Sequence, residues 1–432
     1  MKIVLINPPA PFLMNERVFP NLGLVQLATS LKERGYNLEL LDLCGNNNSN
    51  QLIQEIAHSA DLFGFSSTTP QFIETYKLNS LLKKENPNAK TILGGAHPSA
   101  MHSLLKSGRV EDINLQRLNS FDYIFVGEGD ESDFNNLKPG WNIAPLIHDI
   151  DKSPIPDRSL IDIHSYKYFL NGKETTILMT QRGCPFNCSF CCGRDVEMYR
   201  KPRSKSPKRI LEELDYLNDK FGYSSFMWFD DEINVNSKRL KDISELLKKR
   251  NYIHRGFVRS DLLVKHPETL EYLIDSGFVE LCSGVESGSD DVLKRINKGT
   301  TSEINSLAAH IIMDKGIKYK AFAMMGHPGE TYEEFKKTVQ WIKDIKPHGF
   351  DISILSPYPG SRLYNLAKDS NKYPEFDREY EGLYFKSIDY SSEESFYKGK
   401  PGEYHCNIRT DELTSENLLQ LRDNTEKELK RS

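Results

Sequence analysis

The 432-residue chain lacks several features that would assign its class directly. It contains no apolar run near the roughly 20 residues that a membrane span requires. It has no strong excess of one charge, because its 56 Lys and Arg residues nearly balance its 61 Asp and Glu residues. A net charge of −5 gives no support for non-specific binding to nucleic acid. Its 7 cysteines are odd in number and crowded, which is unlike a disulfide framework.

The first residues also lack the pattern of a secretion signal. The segment MKIVLINPPAPF has one Lys, no long apolar stretch and no small-residue cleavage site. A core strand explains it better. With the crowded thiols, this start leads us to expect a reducing cytoplasm and a metal or cluster site.

The composition is that of a globular protein with about two or three domains, taking roughly 150 residues per domain. In the first part, strand patterns at 2–7, 37–43, 62–68, 90–95 and 122–129 alternate with helix patterns such as 71–84. This alternation predicts an α/β fold with a parallel, doubly wound, Rossmann-like sheet. Ligands of such sheets bind beyond the carboxyl ends of the strands.

A proline-containing stretch over 139–156 predicts a linker, with the first domain ending near residue 145. A second series of strand patterns follows at 175–183, 224–230, 255–260, 279–287, 319–326 and 350–358. Six β/α units predict a partial (β/α)6 barrel. We therefore predict a domain over 1–145, a linker over 146–172, a barrel over 173–370 and a small extension over 371–432 that ends in a helix at 415–429.

The strongest motif is RGCPFNCSFCC, which places Cys184, Cys188 and Cys191 in CxxxCxxC spacing just after the first barrel strand. Thiolates are soft ligands suited to iron–sulfur clusters and zinc. Three ligands would leave the fourth iron of a cubane open to a small molecule, whereas a structural zinc site needs a fourth protein ligand. Cys192 is a poor fourth ligand because adjacent side chains rarely point at one metal. Structural zinc and inert packing remain the alternatives.

At these residues the sequence resembles the radical S-adenosylmethionine (SAM) superfamily. The preceding domain resembles the cobalamin-binding domain of one large subgroup, so the resemblance covers nearly the whole chain. It implies a 4Fe–4S cluster held by Cys184, Cys188 and Cys191, with SAM bound at the open iron. Cleavage of SAM would then yield a 5′-deoxyadenosyl radical. The resemblance gives Cys192 no ligand role.

The resemblance also implies a set of SAM contacts. Phe190 and Gly326 would lie near the adenine, and Asp230 and Asp231 near the methionine amino group. Arg259, in the sequence RSD, would pair with the carboxylate, although a structural ion pair explains it as well. Glu286 would approach the ribose, and Gly288 would allow close approach of the backbone. A solvated loop acid remains the alternative for Asp230 and for Asp231.

In the N-terminal domain the resemblance rests on the segments 22–36, GFSSTTP and LGGAHPSA. The usual DxHxxG motif is absent, and the nearest segment, 42–45, has no His. We expect the His of GGxHP to be a loop or packing residue rather than a cobalt ligand. A degenerate domain without cofactor remains possible on sequence grounds. The residues implied near cobalamin are Ser66, Thr68, Gly94, Gly95, His97 and Gly127.

The function implied by the resemblance is a cobalamin-dependent methyltransferase that acts on an unactivated carbon. The alternatives are a radical cyclase, rearrangement or oxidation enzyme, and a non-catalytic cobalamin or metal sensor. The expected partners are a small-molecule or natural-product substrate and an external electron donor of flavodoxin or ferredoxin type. No nucleic acid is expected, since the basic run over 200–209 reads as a solvated loop.

Overall fold

The computed structural model describes residues 1–393 and 402–430. Parts of the predicted C-terminal extension, 394–401 and 431–432, lie outside the described residues. Two six-stranded parallel sheets dominate the fold, followed by a four-stranded antiparallel sheet. Within the described residues, no helix is long and apolar enough to cross a membrane.

The first sheet is parallel and has the strand order β2-β1-β3-β4-β5-β6. Its strands are β1 (Lys2–Asn7), β2 (Asn37–Asp42), β3 (Leu62–Ser66), β4 (Lys90–Gly94), β5 (Tyr123–Val126) and β6 (Gly140–Ile143). Its helices are α1 (Leu22–Glu33), α2 (Ser49–Ile56), α3 (Phe72–Glu85), α4 (Ala96–Lys106) and α5 (Ile113–Arg117). The predicted doubly wound domain is confirmed, with β6 as a strand that the sequence patterns did not indicate.

The sequence explains this sheet because its central strands are continuous apolar runs covered by helices on both faces. In β1, the residues from Ile3 to Asn7 are buried without alternation, as expected for a parallel strand. Helix α1 begins at a side-chain cap, where Asn21 Oδ1 accepts from the Leu24 amide at 3.1 Å. The carboxyl ends of β1, β3, β4 and β5 therefore meet at one edge, beside the start of α1.

A short hairpin, β7 (Phe169–Leu170) and β8 (Lys173–Glu174), precedes the second sheet. That sheet is parallel and has the order β16-β15-β14-β13-β12-β9, a partial barrel as predicted. The elements of this region are β9 (Thr176–Leu178), β10 (Gln181–Arg182), β11 (Arg203–Ser204), α6 (Pro207–Phe221), β12 (Ser225–Trp228), α7 (Ser237–Leu247), β13 (Ile253–Phe257), α8 (Ser260–Lys265), α9 (Glu268–Asp275), β14 (Phe278–Glu286), α10 (Asp290–Arg295), α11 (Ser302–Asp314), β15 (Lys318–Met325), α12 (Tyr332–Ile345) and β16 (Gly349–Ile354).

The predicted first barrel strand is interrupted in the structure. It divides into β9 and β10, and β10 pairs antiparallel with β11 beside the cysteine loop. Helix α6 starts as its sequence indicates, since Ser206 Oγ accepts from the Arg209 amide at 3.2 Å and Pro207 takes the first helical position. Short 3₁₀ turns complete the two domains at Leu118–Ser120, Phe134–Asn136, Arg158–Leu160, Ile163–Ser165, Glu197–Tyr199 and Ile233–Val235.

The C-terminal extension covers one open edge of the partial barrel. The elements that follow β16 are α13 (Arg362–Asn365), β17 (Lys368–Tyr373), β18 (Phe376–Tyr380), β19 (Leu383–Phe385), β20 (Ile408–Arg409) and α14 (Ser415–Leu429), of which α13 and the start of β17 precede residue 371. The antiparallel sheet of β17–β20 was not predicted. Side chains of helix α14 bond to backbone groups of the edge strand β16. Glu426 Oε1 accepts from the Ile352 amide at 3.0 Å, and Arg422 Nε donates to the Ile352 carbonyl at 3.1 Å.

Candidate functional site

The cysteine loop leaves β10 through a glycine that the backbone requires. Gly183 has φ +89°, and a Cβ there would lie 2.6 Å from the Lys201 carbonyl oxygen. The next residue, Cys184, donates its amide to the Tyr199 carbonyl at 2.8 Å. The start of the loop is therefore folded back against the segment that leads into β11.

The far half of the loop is held by the barrel. The Ser189 amide donates to the Ile296 carbonyl at 2.9 Å, and the Leu363 amide donates to the Ser189 carbonyl at 3.1 Å. A Cβ on Gly360 would lie 2.4 Å from the Cys192 carbonyl oxygen. The loop is thus held by the end of α10 and by the start of α13, with Gly360 packed closely against the Cys192 backbone.

The three thiols of the triplet share one electrostatic environment. Burial raises the pKa of Cys184 to about 11 and that of Cys191 to about 12, and the nearby Cys188 contributes to both shifts. The backbone N–H groups of Phe186 and Gly193 point at the first and third sulfurs and lower these values. Metal binding displaces thiol protons, and amide-to-sulfur hydrogen bonds suit an iron–sulfur cluster. The donor set therefore fits a 4Fe–4S cluster.

The three thiols differ in exposure. The side chain of Cys191 is exposed, that of Cys184 is half-buried and that of Cys188 is buried. Within the described residues, no three His, Cys, Asp or Glu side chains lie close enough to share a single metal ion.

The two adjacent carboxylates after β12 have different environments. Asp230 is fully buried and accepts from the amides of Thr180 at 2.5 Å and Gln181 at 2.9 Å, so it joins the ends of β9 and β12. Asp231 is exposed toward the cysteine loop, and burial together with Asp230 raises its pKa to about 6. Asp231 is therefore the one available to an ammonium group, whereas Asp230 has a structural partner set.

A buried charge cluster lies on the other side of the loop. Lys298 Nζ is 2.9 Å from Glu286 Oε1, and Arg259 Nε is 2.8 Å from Asp261 Oδ1. Burial raises the pKa of Glu232 to about 7, against the opposing effect of Lys298 and Arg259. One oxygen of Glu232, Oε2, is buried without a hydrogen-bond partner among the described residues. This cluster offers both signs of charge to a zwitterionic ligand.

Glu286 adopts a backbone conformation that non-glycine residues rarely take, with φ +63°. It ends β14, and a Cβ on the preceding Gly284 would lie 2.3 Å from Glu286 Oε1. The neighbouring glycine therefore makes room for this carboxylate. Backbone strain of this kind concentrates at ligand sites, which supports the predicted role of Glu286.

The remaining predicted SAM contacts are Phe190, Gly288 and Gly326. Phe190 packs against Val292, Leu293 and Ile296, and its ring centroid lies 6.0 Å from that of His327. Gly288 packs on α12, where a Cβ would lie 2.4 Å from the Lys337 carbonyl, and Gly326 packs on the C-terminal extension, 2.5 Å from Ile408 Cδ1. Packing against α12 accounts for Gly288 and packing against β20 accounts for Gly326, so their SAM role remains a prediction.

A cavity of about 350 Å³ opens at the carboxyl edge of the first sheet. It penetrates between α1 and the sheet to an apolar end formed by Leu5, Gly64, Ile92, Phe125 and Phe134. Its rim is polar, with Asn21, Gln26, Ser66, Thr68, Arg182 and Lys205. An apolar channel with a polar rim fits the aromatic nucleotide tail and the amide-bearing corrin ring of cobalamin.

Five of the six residues predicted near cobalamin line this cavity, namely Ser66, Thr68, Gly94, Gly95 and Gly127. His97 does not line it. Its ring is fully buried, stacks on Phe72 at 4.1 Å and bonds through Nδ1 to Thr69 Oγ1 at 3.1 Å. Burial lowers its pKa to about 3. His97 is thus a neutral packing residue, and we propose no cofactor contact for it.

Sequence reasoning missed the charges that join the two domains. Arg182, just before the first cysteine, lies 3.0 Å from Glu128 Oε1 and 3.3 Å from Asp130 Oδ2. The other oxygen of Glu128 bonds to Arg203 at 2.5 Å. Both acids belong to the segment GEGD, which follows β5. The only sequence signal for their role is that two acidic residues lie close together at the end of a strand. Lys298 and Glu232 were also missed, because neither belongs to a recognised motif.

The basic run over 200–209 is largely occupied by internal partners. Arg203 is bound to Glu128, and Lys205 Nζ lies 2.5 Å from Glu213 Oε2. Arg200 donates to the Phe186 carbonyl at 2.9 Å. Of these, only the contact of Arg203 with Glu128 joins the two domains, and the exposed Lys201 and Lys208 keep the solvated character expected from the sequence.

Comparison with known sequences agrees with this geometry. Residues 178–342 match the Radical SAM superfamily, and residues 16–132 match the B12 binding domain. An uncharacterized methyltransferase of Pyrococcus horikoshii is 26% identical over 399 residues, covering 86% of this chain and 84% of the relative. The anaerobic magnesium-protoporphyrin IX monomethyl ester cyclase of Rubrivivax gelatinosus is 26% identical over 384 residues, covering 83% of this chain and 68% of the relative.

A solved structure shares the fold. The cobalamin-dependent SAM radical enzyme OxsB, with aqua-cobalamin and SAM bound, superposes with a TM-score of 0.63 at 22% identity. The match covers 84% of this chain but 55% of the OxsB chain, so this chain spans about half of that protein's length. The chain belongs to the radical SAM superfamily with an N-terminal B12-binding domain, and it is an enzyme whose cofactors are a 4Fe–4S cluster, SAM and cobalamin.

Proposed function

We propose that the protein is a cobalamin-dependent methyltransferase that acts on an unactivated carbon of a small molecule. The observation that carries this proposal is the shared wall between the two cofactor sites. The cobalamin cavity is lined by Arg182, Met198 and Tyr199. The cluster ligand Cys184 lies two residues after Arg182 and donates its amide to the Tyr199 carbonyl. When bound, the cluster and cobalamin supply reductive cleavage of SAM and carriage of its methyl group.

The chain's own residues bind and orient the charged parts of SAM in this proposal. Cys184, Cys188 and Cys191 hold the cluster. Asp231 accepts the methionine ammonium, since its pKa of about 6 leaves it ionised at neutral pH. The cations Arg259 and Lys298 face the carboxylate, with Glu286 aligning Lys298 through the 2.9 Å contact.

Water exclusion follows from the packing around the cysteine loop. The loop is covered by the GEGD acids of the first domain on one side and by Ile296 and Gly360 of the barrel on the other. A reactive carbon-centred species needs such an enclosure, because solvent and oxidants would otherwise quench it. The same reactivity requires a one-electron donor, which we propose is of flavodoxin or ferredoxin type in a reducing cytoplasm.

A second candidate is radical cyclisation, which is favoured by the similarity to the magnesium-protoporphyrin monomethyl ester cyclase over 83% of this chain. The two reactions differ in their products. Methyl transfer consumes two SAM molecules and releases S-adenosylhomocysteine with 5′-deoxyadenosine, whereas cyclisation releases no S-adenosylhomocysteine.

The test is anaerobic reconstitution with iron, sulfide and cobalamin, followed by incubation with a reductant and SAM labelled in its methyl group. Formation of both nucleoside products, with label in a cell-extract metabolite, supports methyl transfer. 5′-Deoxyadenosine alone supports the second candidate. Neither product from a protein with a fully loaded cluster would refute both enzymatic functions. The matched control is Cys192→Ser, which should retain both products.

A further inference from the structure

Helix α5 of the first domain holds a short segment of the C-terminal extension. Asn114 donates from Nδ2 to the Ile388 carbonyl at 2.8 Å, and its Oδ1 accepts from the Tyr390 amide at 2.9 Å. Between these two residues, Asp389 accepts from Nε and Nη2 of Arg117 at 3.0 and 2.7 Å. We call the segment of Ile388, Asp389 and Tyr390 the clasp. Each of its three residues is therefore bonded to α5.

Tyr390 connects the clasp to both domains. It is 3% exposed, and its hydroxyl donates to the Pro357 carbonyl, after β16, at 3.1 Å. Its ring centroid lies 6.4 Å from that of His97, with the two ring planes at 76°. This is an edge-to-face arrangement, which aromatic rings favour. The side chain of Tyr390 therefore packs against the barrel and against a residue at the start of α4 in the first domain.

His97 also holds the loop that lines the cobalamin cavity. Its amide donates to the Ser67 carbonyl at 2.9 Å, and its Nδ1 bonds to Thr69 Oγ1 at 3.1 Å. Thr68, between these two residues, lines the cavity. The His97 ring is fully buried and stacks on Phe72, so it has little freedom to move away from the loop. His97 therefore holds the chain on both sides of Thr68.

We infer that the clasp is a positioning element for cobalamin, in which Tyr390 acts through His97 to hold the loop 66–69 in the shape that lines the cavity. Neither Tyr390 nor His97 lines the cavity, so both are positioning residues rather than binding residues. A loop that is already ordered costs less free energy on binding than one that the ligand must order. The inference goes beyond the proposed function, because it gives the C-terminal extension a role in cofactor affinity whatever reaction follows.

Coupling between the clasp and the cofactor is reciprocal. If the clasp raises the affinity for cobalamin, bound cobalamin must stabilise the clasp by the same factor. The amide of Tyr390 reports on this stabilisation, because it is bonded to Asn114 only while the clasp lies against α5. A clasp that only fills space would show no response to the cofactor.

The first test measures hydroxocobalamin affinity by equilibrium dialysis on the full chain loaded with its iron–sulfur cluster. Tyr390→Leu removes the ring that packs on His97 and should weaken binding at least about fivefold. Tyr390→Phe keeps that ring and loses only the hydroxyl bond, so it should bind as the unmodified protein does. The matched control is Tyr373→Leu in β17 of the same extension. Its ring packs on Tyr384 and Arg409 instead, so the affinity should not change.

The second test is hydrogen exchange followed by mass spectrometry. In the unmodified protein, hydroxocobalamin should slow exchange in the peptide that contains Tyr390 and should leave the peptide of β17 unchanged. In cobalamin-free protein, Tyr390→Leu should speed exchange in the peptide that contains residues 66–69, whereas Tyr373→Leu should not. These changes would show that the loop is held by the clasp rather than by its own domain alone.

Three results would each overturn the inference. The first is a Tyr390→Leu variant, shown to be folded by circular dichroism, that binds hydroxocobalamin as tightly as the unmodified protein. The second is equal weakening by Tyr390→Phe and Tyr390→Leu, which would exclude the route through His97. The third needs no variant and is exchange at Tyr390 that hydroxocobalamin leaves unaffected. Because none of these measurements involves turnover, their outcome is separate from that of methyl transfer.

Discussion

Replacing Glu128 by Gln should weaken the junction between the two cofactor domains. Glu128 uses both oxygens, one to Arg182 at 3.0 Å and the other to Arg203 at 2.5 Å. The side chains of Glu128 and Arg203 are 9% and 5% exposed, so solvent screens this contact poorly. The amide of Gln keeps the shape but removes the charge, and it leaves two buried guanidinium groups short of one counterion.

The magnitude follows from what each arginine retains. Breaking a buried ion pair by removing one partner costs about 3–5 kcal/mol. Arg182 keeps Asp130 at 3.3 Å, and Arg203 keeps the carbonyl oxygen of Ile147 at 2.7 Å. These remaining contacts place the expected loss of unfolding free energy at the lower end, about 3 kcal/mol. Cobalamin affinity should fall as well, because Glu128 lines the cavity.

Urea denaturation followed by circular dichroism measures the loss, and cobalamin titration by absorbance measures the affinity. The control is Glu197→Gln, whose side chain is 91% exposed and lies 3.9 Å from Lys106 Nζ, so little change is expected. If the denaturation midpoints of Glu128→Gln and Glu197→Gln coincide, Glu128 does not hold the domains together and the reasoning fails.

Three further predictions concern the site itself. Cys188→Ser should abolish the visible absorbance of the iron–sulfur cluster, because it removes one of the three thiolate ligands. Cys192→Ser should retain this absorbance; loss in both variants would contradict the ligand assignment. Lys298→Met should weaken SAM binding by about tenfold or more in calorimetric titration, since it removes a buried cation, whereas the exposed Lys315→Met should not. Burial raises the pKa of Glu330 from 4.5 to about 8, so the folded protein binds more protons than the unfolded chain between these pH values. Stability should therefore fall as pH rises through this range, and Glu330→Gln should flatten the slope of midpoint against pH; an unchanged slope would show that another group titrates.

The alternation of strands and helices was largely predictable because many of the parallel strands, such as β1 and β3, contain a short apolar run followed by polar or glycine residues. The cysteine loop was predictable for a similar local reason, since three ligands of one cluster lie within eight residues of chain. The α14 boundaries, 415–429, also follow from local signals. Thr414 caps the first turn by accepting from the Asn417 amide at 3.2 Å.

The antiparallel sheet β17–β20 was not predictable from its sequence. Its strands, such as KDSNKY and FDREY, are polar and short. Their stability comes from nonlocal contacts, including the packing of Leu383 and Phe385 into the main core. Propensity and periodicity describe local preference, so segments stabilised by distant partners escape them.

Which of the adjacent Asp230 and Asp231 is available to a ligand was also not predictable from local sequence. Successive residues at a strand end point to opposite sides, so adjacent carboxylates of identical chemistry receive opposite roles. Which one faces the ligand depends on the register of β12 against β9, fixed by the pairing of Trp228 with Leu178. A sequence motif places the pair at the strand end but does not encode that register.

The junction between the two domains likewise depends on contacts between residues far apart in sequence. Arg182 and Glu128 are 54 residues apart and lie on opposite sides of the linker. Neither charge has a local partner, so sequence alone left both as unassigned polar residues. Once paired, they link the strand that bears the cysteine loop to the loop that borders cobalamin. This nonlocal ion pair is one of the contacts that join the two domains, and the cobalamin cavity beside it is lined by residues from both.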